Sequence, residues 1–564
     1  MKLSDYVMQF IKEQVADSVF LMSGGGIMHL VDSLGKSDLH AYCCHHEQAA
    51  TIAAEGYARI KNVPGVALVT TGPGGTNAVT GIAGAWLDSI PMLVIAGQVK
   101  RADITPRGED GVPVVRAIGF QELNVIDIVK PITKYAATVM NPADIRYHLE
   151  KAVYLATHGR PGPVFVEIPL DVQAEEINPD QLTFFDASYY KEEISVKPTL
   201  PSATVVQVVH LLRNAKRPLL MAGNGIRLAG AEDLLGKFIT QTGINVVTPM
   251  FTADDLVTHD YPHYLGRQGM SGNKAANYAI DNCDVLLIIG ERMQLTQTSY
   301  DHESFARQAI TIMVDIDQGE MRKKTFDATV PIHCDAEEFL AALCQQELIL
   351  KRWDVPVESI DPGRYACDKK YLNVYAFLEA LNAYPGNMNV ATANGMASVT
   401  PHQALRMHDG RRFITNAGLG HMGSGLPLAI GACVASGGMP VICMEGDGSI
   451  MLNIQELQMV AHHQLPIKIF IFNNGGYYSI RSTHQRYFNN VFAADASSGV
   501  SLPDFSYLIP AFGLAYTRIS NDMELSKLDR VMRCRGPIVC ELMLDPGQPM
   551  LERWSAGMLR EAKQ

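Results

Sequence analysis

The feature that most constrains this chain is a single strand–turn–helix–strand unit. An apolar run at 440–445 meets Gly446-Asp447-Gly448-Ser449, a helical stretch covers 453–463, and a second apolar run at 467–472 ends in Asn473-Asn474. Short apolar runs without alternation read as strands buried on both faces, and a helix between them makes the strands parallel neighbours. The turn and the Asn pair then sit together at the carboxyl edge of a parallel sheet, where α/β proteins bind ligands. Alone, Gly-Asp-Gly is a common turn; the setting gives it chemistry. Glycines let backbone approach a diphosphate, and amides at a helix N-terminus face it. Mg²⁺ takes about six oxygens and is often shared between a carboxylate and phosphates. Asp447 would supply the charge and Asn474 a neutral oxygen, with the backbone carbonyl of Gly476 as a third protein ligand.

The same alternation extends through the chain. Its 564 residues suffice for about three domains, and 47% hydrophobic with 19% charged residues is a globular composition. Apolar runs at 65–70 and 91–96 read as strands of a first block over 1–175. Runs at 217–222, 284–290 and 310–316 read as strands of a second over 198–345, and the unit above anchors a third over 371–550. The expected fold class is α/β, with three doubly wound parallel-sheet domains. The first and third blocks share a similar rhythm. Polar stretches at 176–197 and 346–370 read as linkers, and 547–564 as a loose tail or a flap.

The net charge of −12 carries no basic block, so nucleic acid is not an expected partner. Ten cysteines without a Cys-x-x-Cys pair read as reduced, mostly buried thiols of a cytoplasmic protein. No apolar run is long enough for a membrane span, and the first residues lack the apolar core of a signal peptide.

At this point a resemblance becomes specific. Leu419-Gly420-His421-Met422-Gly423-Ser424-Gly425-Leu426-Pro427, Gly446–Ser449 and Asn453-Ile454-Gln455-Glu456-Leu457 resemble the acetolactate (acetohydroxyacid) synthases, enzymes of thiamine diphosphate and Mg²⁺. His46-Glu47-Gln48-Ala49-Ala50, continuing to Ala58-Arg59, matches the family's glutamate motif, and Thr71–Asn77 and Ser23–Gly26 match two of its loops. The resemblance implies a pyrimidine-binding first domain, a central Rossmann-like domain and a diphosphate-binding third domain. It implies that Glu47 activates the coenzyme from a mostly apolar place. Gly25 and Gln121 would lie at the reaction centre, with Gly24, Gly26, Phe120, Lys134, Asn394 and Ile480 around the substrate. Ordinary core packing is the rival reading for Phe120. The coenzyme would also contact Pro73, Asn77, Gly395, Met396, Gly420, Met422, Gly446, Asp447, Gly448, Ser449, Asn474, Gly476 and Tyr477, with Met422 beneath its two rings. In the family the glutamate and the metal site come from different subunits, which implies a homodimer or homotetramer.

For the central domain the resemblance implies FAD without a net redox role. The matching positions are Gly223, Asn224, Gly225, Gly266, Arg292, Asp315, Ile316 and Asp335. An empty or ADP-binding domain is the rival.

The implied activity is decarboxylation of a 2-oxo acid, pyruvate, and transfer of the two-carbon unit to a carbonyl acceptor. The acceptor pocket departs from the family. Where the branched-chain enzymes have Phe-Asp-Asp-Arg-Val-Thr-Gly, Arg292 is followed by Met293-Gln294-Leu295-Thr296-Gln297, so the carboxylate-binding arginine aligns with Thr296. A tryptophan of the family falls near Thr483, and Val-Gly-Gln-His becomes Asn394-Gly395-Met396-Ala397. These changes imply that the acceptor need not be a 2-oxo acid: a ketone, an aldehyde or a nucleotide-linked keto sugar fits them, while pyruvate as acceptor would give acetolactate. Arg481 is either a substitute cation or a solvated loop arginine. The alternatives are a flavin-dependent pyruvate oxidase, a simple 2-oxo acid decarboxylase and, from a different class, a non-catalytic binding protein.

Overall fold

The computed structural model describes residues 1–109, 111–190, 199–252, 256–356, 360–384 and 386–560. Positions 191–197 of the first expected linker, 357–359 of the second and the last four residues of the tail lie outside them.

Three six-stranded sheets carry the chain, and all their strand pairs are parallel. The first contains Ser18–Leu21 (β1), His40–Cys43 (β2), Gly65–Val69 (β3), Met92–Gln98 (β4), Tyr135–Thr138 (β5) and Pro163–Pro169 (β6), in the order β2-β1-β3-β4-β6-β5. The second contains Pro218–Ala222 (β7), Asn245–Pro249 (β8), Tyr264–Gln268 (β9), Val285–Ile289 (β10) and Ile310–Asp315 (β11). After a two-stranded ribbon, Arg322–Lys323 (β12) and Phe326–Asp327 (β13), Val330–His333 (β14) completes the order β14-β11-β10-β7-β8-β9. The third contains Asn389–Thr392 (β15), Phe413–Thr415 (β16), Val441–Gly446 (β17), Ile467–Asn473 (β18), Ala515–Ile519 (β19) and Ile538–Met543 (β20), in the order β16-β15-β17-β18-β20-β19. Counted within each sheet, the first and third orders are identical, which gives the shared rhythm of the sequence a structural form. β3, β4, β7 and β10 are buried along their whole length, as continuous apolar runs require when helices cover both faces.

Strand order fixes where ligands can sit. Crevices open outside the carboxyl ends at switch points, where the order reverses. In the first sheet this is between β1 and β3, which lead into Gly24–Gly26 and Thr70–Asn77. In the third it is between β15 and β17, which lead into Asn394–Met396 and Gly446–Ser449. In the second it is between β7 and β10, which lead into Gly223–Gly225 and Gly290–Arg292.

The first and third blocks share one hydrophobic core. Its centre is a pair of helices, Glu47–Lys61 and Gly425–Ala435. A Cβ on Gly56 would stand 2.4 Å from the Leu428 carbonyl oxygen, and one on Gly431 1.9 Å from that of Ala53. The backbones thus touch with no side chain between them. The pairings 53 with 431 and 56 with 428 make the helices antiparallel.

The stretch at 547–560 is not a loose tail. Trp554 and Ala556 enter the core of the central block. Asp281 accepts from the Trp554 indole N–H (3.0 Å) and from the amides of Gly557 (2.7 Å) and Leu559 (2.9 Å). All ten cysteines are free thiols, seven of them buried. Among the described residues no helix is long and apolar enough to cross a membrane.

Candidate functional site

β17 and β18 pair with Gly446 opposite Phe472, which brings Asp447 beside Asn473-Asn474. β17 runs straight into a short helix, Asp447–Ile450. The longer helix expected at 453–463 is divided into a 3-10 turn, Ile454–Glu456, and a helix, Leu457–His462. Asp447 is buried, and its carboxylate accepts from the amides of Gly448 (2.7 Å), Asn474 (3.0 Å) and Gly476 (2.9 Å). Burial pushes its pKa up to about 6, against the lowering effect of those amides. A desolvated carboxylate beside a side-chain amide and a backbone carbonyl suits a hard divalent cation that also holds phosphate oxygens. Among the described residues no three His, Cys, Asp or Glu converge as a metal-only site, so these oxygens would need the diphosphate to complete a shell.

Arg481 is neither a solvated loop residue nor a cation facing the acceptor. It is buried, and its Nη2 donates to the Asn474 carbonyl (3.1 Å), Asn474 Oδ1 (3.3 Å) and the Pro546 carbonyl (3.2 Å). It braces the loop that carries Asn474.

At the first switch point Glu47 opens its helix, capped by His46 Nδ1, and is buried. Asn77 Nδ2 donates to its Oε2 at 3.0 Å. Asn77 comes from the helix Pro73–Leu87, which starts after Gly72 at φ +63°. A Cβ on Gly72 would stand 2.1 Å from the Gln121 carbonyl oxygen, and Gln121 itself has φ +65°. The loop bearing Gln121 and Phe120 is therefore pressed against the Glu47 neighbourhood. Phe120 is 89% exposed, so it is not core packing in the single chain.

Glu122 holds that loop. Its carboxylate accepts from the Thr105 amide (2.6 Å) and hydroxyl (2.7 Å) and from the amides of Ile118 (2.8 Å) and Gly119 (3.1 Å). Burial raises its pKa, but these bonds outweigh it and leave the value lowered. The anchor is therefore present above the unfolded carboxyl value of about 4.3 and is lost as pH falls through the lower folded value. Glu122→Ala is expected to free the loop at neutral pH and to raise the rate of tryptic cleavage after exposed Arg116 by roughly tenfold or more. Unaltered cleavage would remove this role.

The central switch point opens a groove against the first block. With its solvent mouth it measures about 870 Å³ and is lined by Asn224, Gly225, Arg292, Asp315, Ile316 and Asp335, with Arg59, Asp88 and Arg160 opposite. Six of the eight residues marked for the flavin meet there, and Gly223 packs against Gly290 at its edge. Gly266 does not; it lines a separate cleft with Tyr365, Gln403 and Trp554. Among the described residues Asn224 Oδ1 is buried without a partner, as an atom waiting for a ligand's donor would be. Asp315 is pushed up to about 6 by burial. Arg292 reaches the Leu87 carbonyl (2.7 Å) and Asp88 (3.7 Å), tying the wall to the first block.

Lys134 is also placed elsewhere than expected. Its Nζ donates to the carbonyls of His158 (2.5 Å) and Arg160 (2.7 Å), and burial lowers its pKa to about 8. It pins the loop behind Arg160. Met396 likewise turns into the core of the third block. Asn394 spends its amide donor on the Gly420 carbonyl (2.7 Å), and Gly395 beside it faces Ser479 in the first turn of the helix Tyr478–Tyr487, which also carries Ile480. Thr296 bonds Gln297 Oε1 (3.1 Å), and Thr483 its own helix at Ser479 (2.8 Å).

Glu456, which the sequence showed as part of a motif without a role, joins the two blocks. It is buried, its Oε1 accepts from the His45 amide at 2.9 Å, and burial raises its pKa to about 7.

Comparison with known proteins agrees with this geometry. The chain matches the N-terminal TPP binding domain of thiamine pyrophosphate enzymes over residues 1–125, their central domain over 205–343 and their C-terminal TPP binding domain over 393–542. It is 34% identical to the acetolactate synthase isozyme 2 large subunit of Escherichia coli over 96% of this chain and 95% of that one. It is 31% identical to a probable acetolactate synthase large subunit of Methanocaldococcus jannaschii over 98% and 93%. The acetolactate synthase large subunit of Lactococcus lactis is 30% identical over 98% and 94%.

Proposed function

The chain belongs to the acetolactate synthase large-subunit family of thiamine pyrophosphate enzymes, and from that premise we propose that it decarboxylates pyruvate and transfers the two-carbon unit to a carbonyl acceptor that need not be a 2-oxo acid and extends to ketones and keto sugars. The observation that carries the catalytic part is the pairing of two half-sites: buried Glu47 with Asn77 on its carboxylate, and buried Asp447 beside Asn474. Bound thiamine diphosphate supplies the nucleophilic carbon and takes up the electrons of the broken C–C bond. Glu47 would hold and return a proton at its free carboxylate oxygen, facing the pyrimidine. Asp447, Asn474 and the Gly476 carbonyl would hold Mg²⁺, while Gly446, Gly448 and Ser449 cradle the diphosphate. Met422 supports the rings, Gly25 and Gln121 flank the reacting atoms, and the central groove holds FAD.

The two half-sites open at opposite ends of the antiparallel helix pair. Glu47 begins one helix; the Glu445 carboxylate accepts from the Leu426 amide (2.9 Å) at the start of the other. With 53 opposite 431, twelve residues separate those ends, about 18 Å at 1.5 Å per residue. Each end is edged with uncovered apolar side chains: Met28, Val114, Ile118 and Phe120 at one, Leu419, Leu452, Ile480 and Phe488 at the other. A second copy related by a two-fold axis would cover both and complete two sites. A homodimer is therefore the smallest active unit.

The acceptor follows from what the pocket lacks. Thr296 stands where the family's carboxylate-binding arginine would be, and its hydroxyl is already bonded to Gln297. A competition assay with pyruvate as donor, read by mass spectrometry of the products, is expected to favour neutral ketones over 2-oxobutyrate and pyruvate as acceptors. Preference for 2-oxobutyrate would overturn this acceptor class. Acetate formed in proportion to oxygen consumed would favour an oxidase.

A further inference from the structure

The three blocks meet at one carboxylate. Asp88 caps the end of the helix Pro73–Leu87, which carries Asn77 near its start, and its side chain is 8% exposed. Its Oδ1 accepts from the Gly418 amide (2.8 Å) and its Oδ2 from the Ala417 amide (3.0 Å), in the segment that leads to Gly420 and Met422. Arg59 Nη2 donates to the same Oδ2 (2.6 Å) and to Glu55 Oε1 (2.9 Å), and both oxygens of Glu55 accept from Asn416 Nδ2 (3.0 Å each). Arg59, Glu55 and Asn416 are all buried. Bonds to an ionised acceptor are about twice as strong as neutral ones. The amides of Ala417 and Gly418 therefore take their places from Asp88.

On their other face the same residues form a wall. Leu87, Asp88 and Ser89 line the central groove together with Arg59 and Arg292. Arg292 donates to the Leu87 carbonyl (2.7 Å) and to Gln294 Oε1 (3.2 Å), which fixes its guanidinium 3.7 Å from Asp88. Gly418 lies directly behind. A Cβ there would stand 2.5 Å from Asp88 Oδ1, 2.7 Å from Leu87 Cβ and 3.0 Å from Arg292 Nη2. The wall is thus one side chain thick, with the groove on one face and the segment leading to Met422 on the other.

We propose that Asp88 is a positioning residue that links the central groove to the coenzyme loop, so that a nucleotide in the groove tightens the grip on thiamine diphosphate. This rests on the proposed function, which puts a flavin in the groove and Met422 beneath the coenzyme rings. The sign follows from the contacts. An occupant packed on residues 87–89 and Arg292 restrains the helix end that holds the Ala417 and Gly418 amides, so less freedom is left to lose when the coenzyme arrives. An anionic occupant that drew on Arg292 would not break this hold, since Asp88 bonds the loop and Arg59 without it. Linkage makes the effect mutual: the coenzyme tightens the groove ligand by the same factor.

The test uses the whole enzyme stripped of cofactors, with thiamine diphosphate and Mg²⁺ as one probe and FAD or ADP as the other. Dissociation constants are read by circular dichroism for the coenzyme and by flavin fluorescence for FAD, each with and without the other. In the wild type FAD is expected to lower the Kd of the coenzyme by about fivefold or more, and the coenzyme to lower that of FAD equally. Hydrogen exchange across 416–418 should slow when FAD binds. Asp88→Asn keeps the shape but turns an N–H toward one of the two amides, and its coupling factor should fall below about twofold. A merely structural role would weaken both affinities and leave the factor intact. Gly418→Ala intrudes from the loop side and should also lose the factor while still binding FAD; it decides the matter where Asp88→Asn does not fold. A wild-type factor below about twofold overturns the proposal, and so does an undiminished factor in the folded variants. Wild-type enzyme that binds the coenzyme but neither FAD nor ADP overturns the groove reading and the proposal with it. Wild-type enzyme that does not bind the coenzyme sinks the catalytic reading itself.

Discussion

Glu47→Ala is expected to lower the rate of CO₂ release from pyruvate by about 10³-fold, within the range that a positioned proton-transfer group contributes. The side chain is buried at a helix start with a neutral amide on one oxygen, so its removal leaves the crossing of the two central helices untouched. Coenzyme affinity, read by circular dichroism of the bound cofactor, should therefore change only a few-fold. Glu47→Gln should be nearly as inactive, because an amide fills the same space but cannot carry the proton. A variant that kept more than a tenth of the wild-type rate would remove Glu47 from the chemistry and revive a binding protein as the better account.

Gly431→Ala should lower the thermal midpoint by roughly 6–12 °C, from an overpacking cost of about 3 kcal/mol and a few degrees per kcal/mol for a chain of this kind. The added methyl would sit 1.9 Å from the Ala53 carbonyl oxygen and 2.7 Å from the Tyr57 nitrogen. Both are backbone atoms of a helix, which cannot turn aside as a side chain can, so the helices must part. They join the first and third blocks through a common core, and both half-sites are mounted on their ends. Gly35 is the control: nothing lies within 4 Å of its missing Cβ, and it sits inside the helix Met28–Lys36. Gly35→Ala should be neutral or stabilising by up to about 1 kcal/mol. Equal midpoints for the two variants, by differential scanning calorimetry, would show that the close approach is relieved cheaply.

The strands and the three-block α/β plan were legible because parallel strands covered on both faces need continuous apolar runs, which stand out between glycine turns. The adjacency of Asp447 and Asn474 was legible for the same reason: one crossover between neighbouring strands sets the spacing. What stayed hidden depends on contacts distant in sequence. Lys134 looks like a pocket cation until the loop at 158–160 folds over it, and Arg481 until the Pro546 carbonyl closes on it. Gly266 shares a glycine-rich pattern with the groove residues but lies in the middle of β9, at the far edge of its sheet from β14 and away from the switch point. The docking of 547–560 rests on partners far away in sequence, among them the buried Asp281 and the backbone of Met270, that nothing in the local pattern marks.

The antiparallel crossing of the central helices has a genetic consequence. In the two-fold pair proposed above, each catalytic chamber would draw its carboxylate end from one copy and its phosphate end from the other. An injury at one end spoils that chain's contribution to a single chamber and leaves its opposite end serviceable. Two differently injured chains, each silent alone, thus rebuild one sound chamber when they meet, so alleles damaged at Glu47 and at Asp447 should complement each other where two of the same kind cannot.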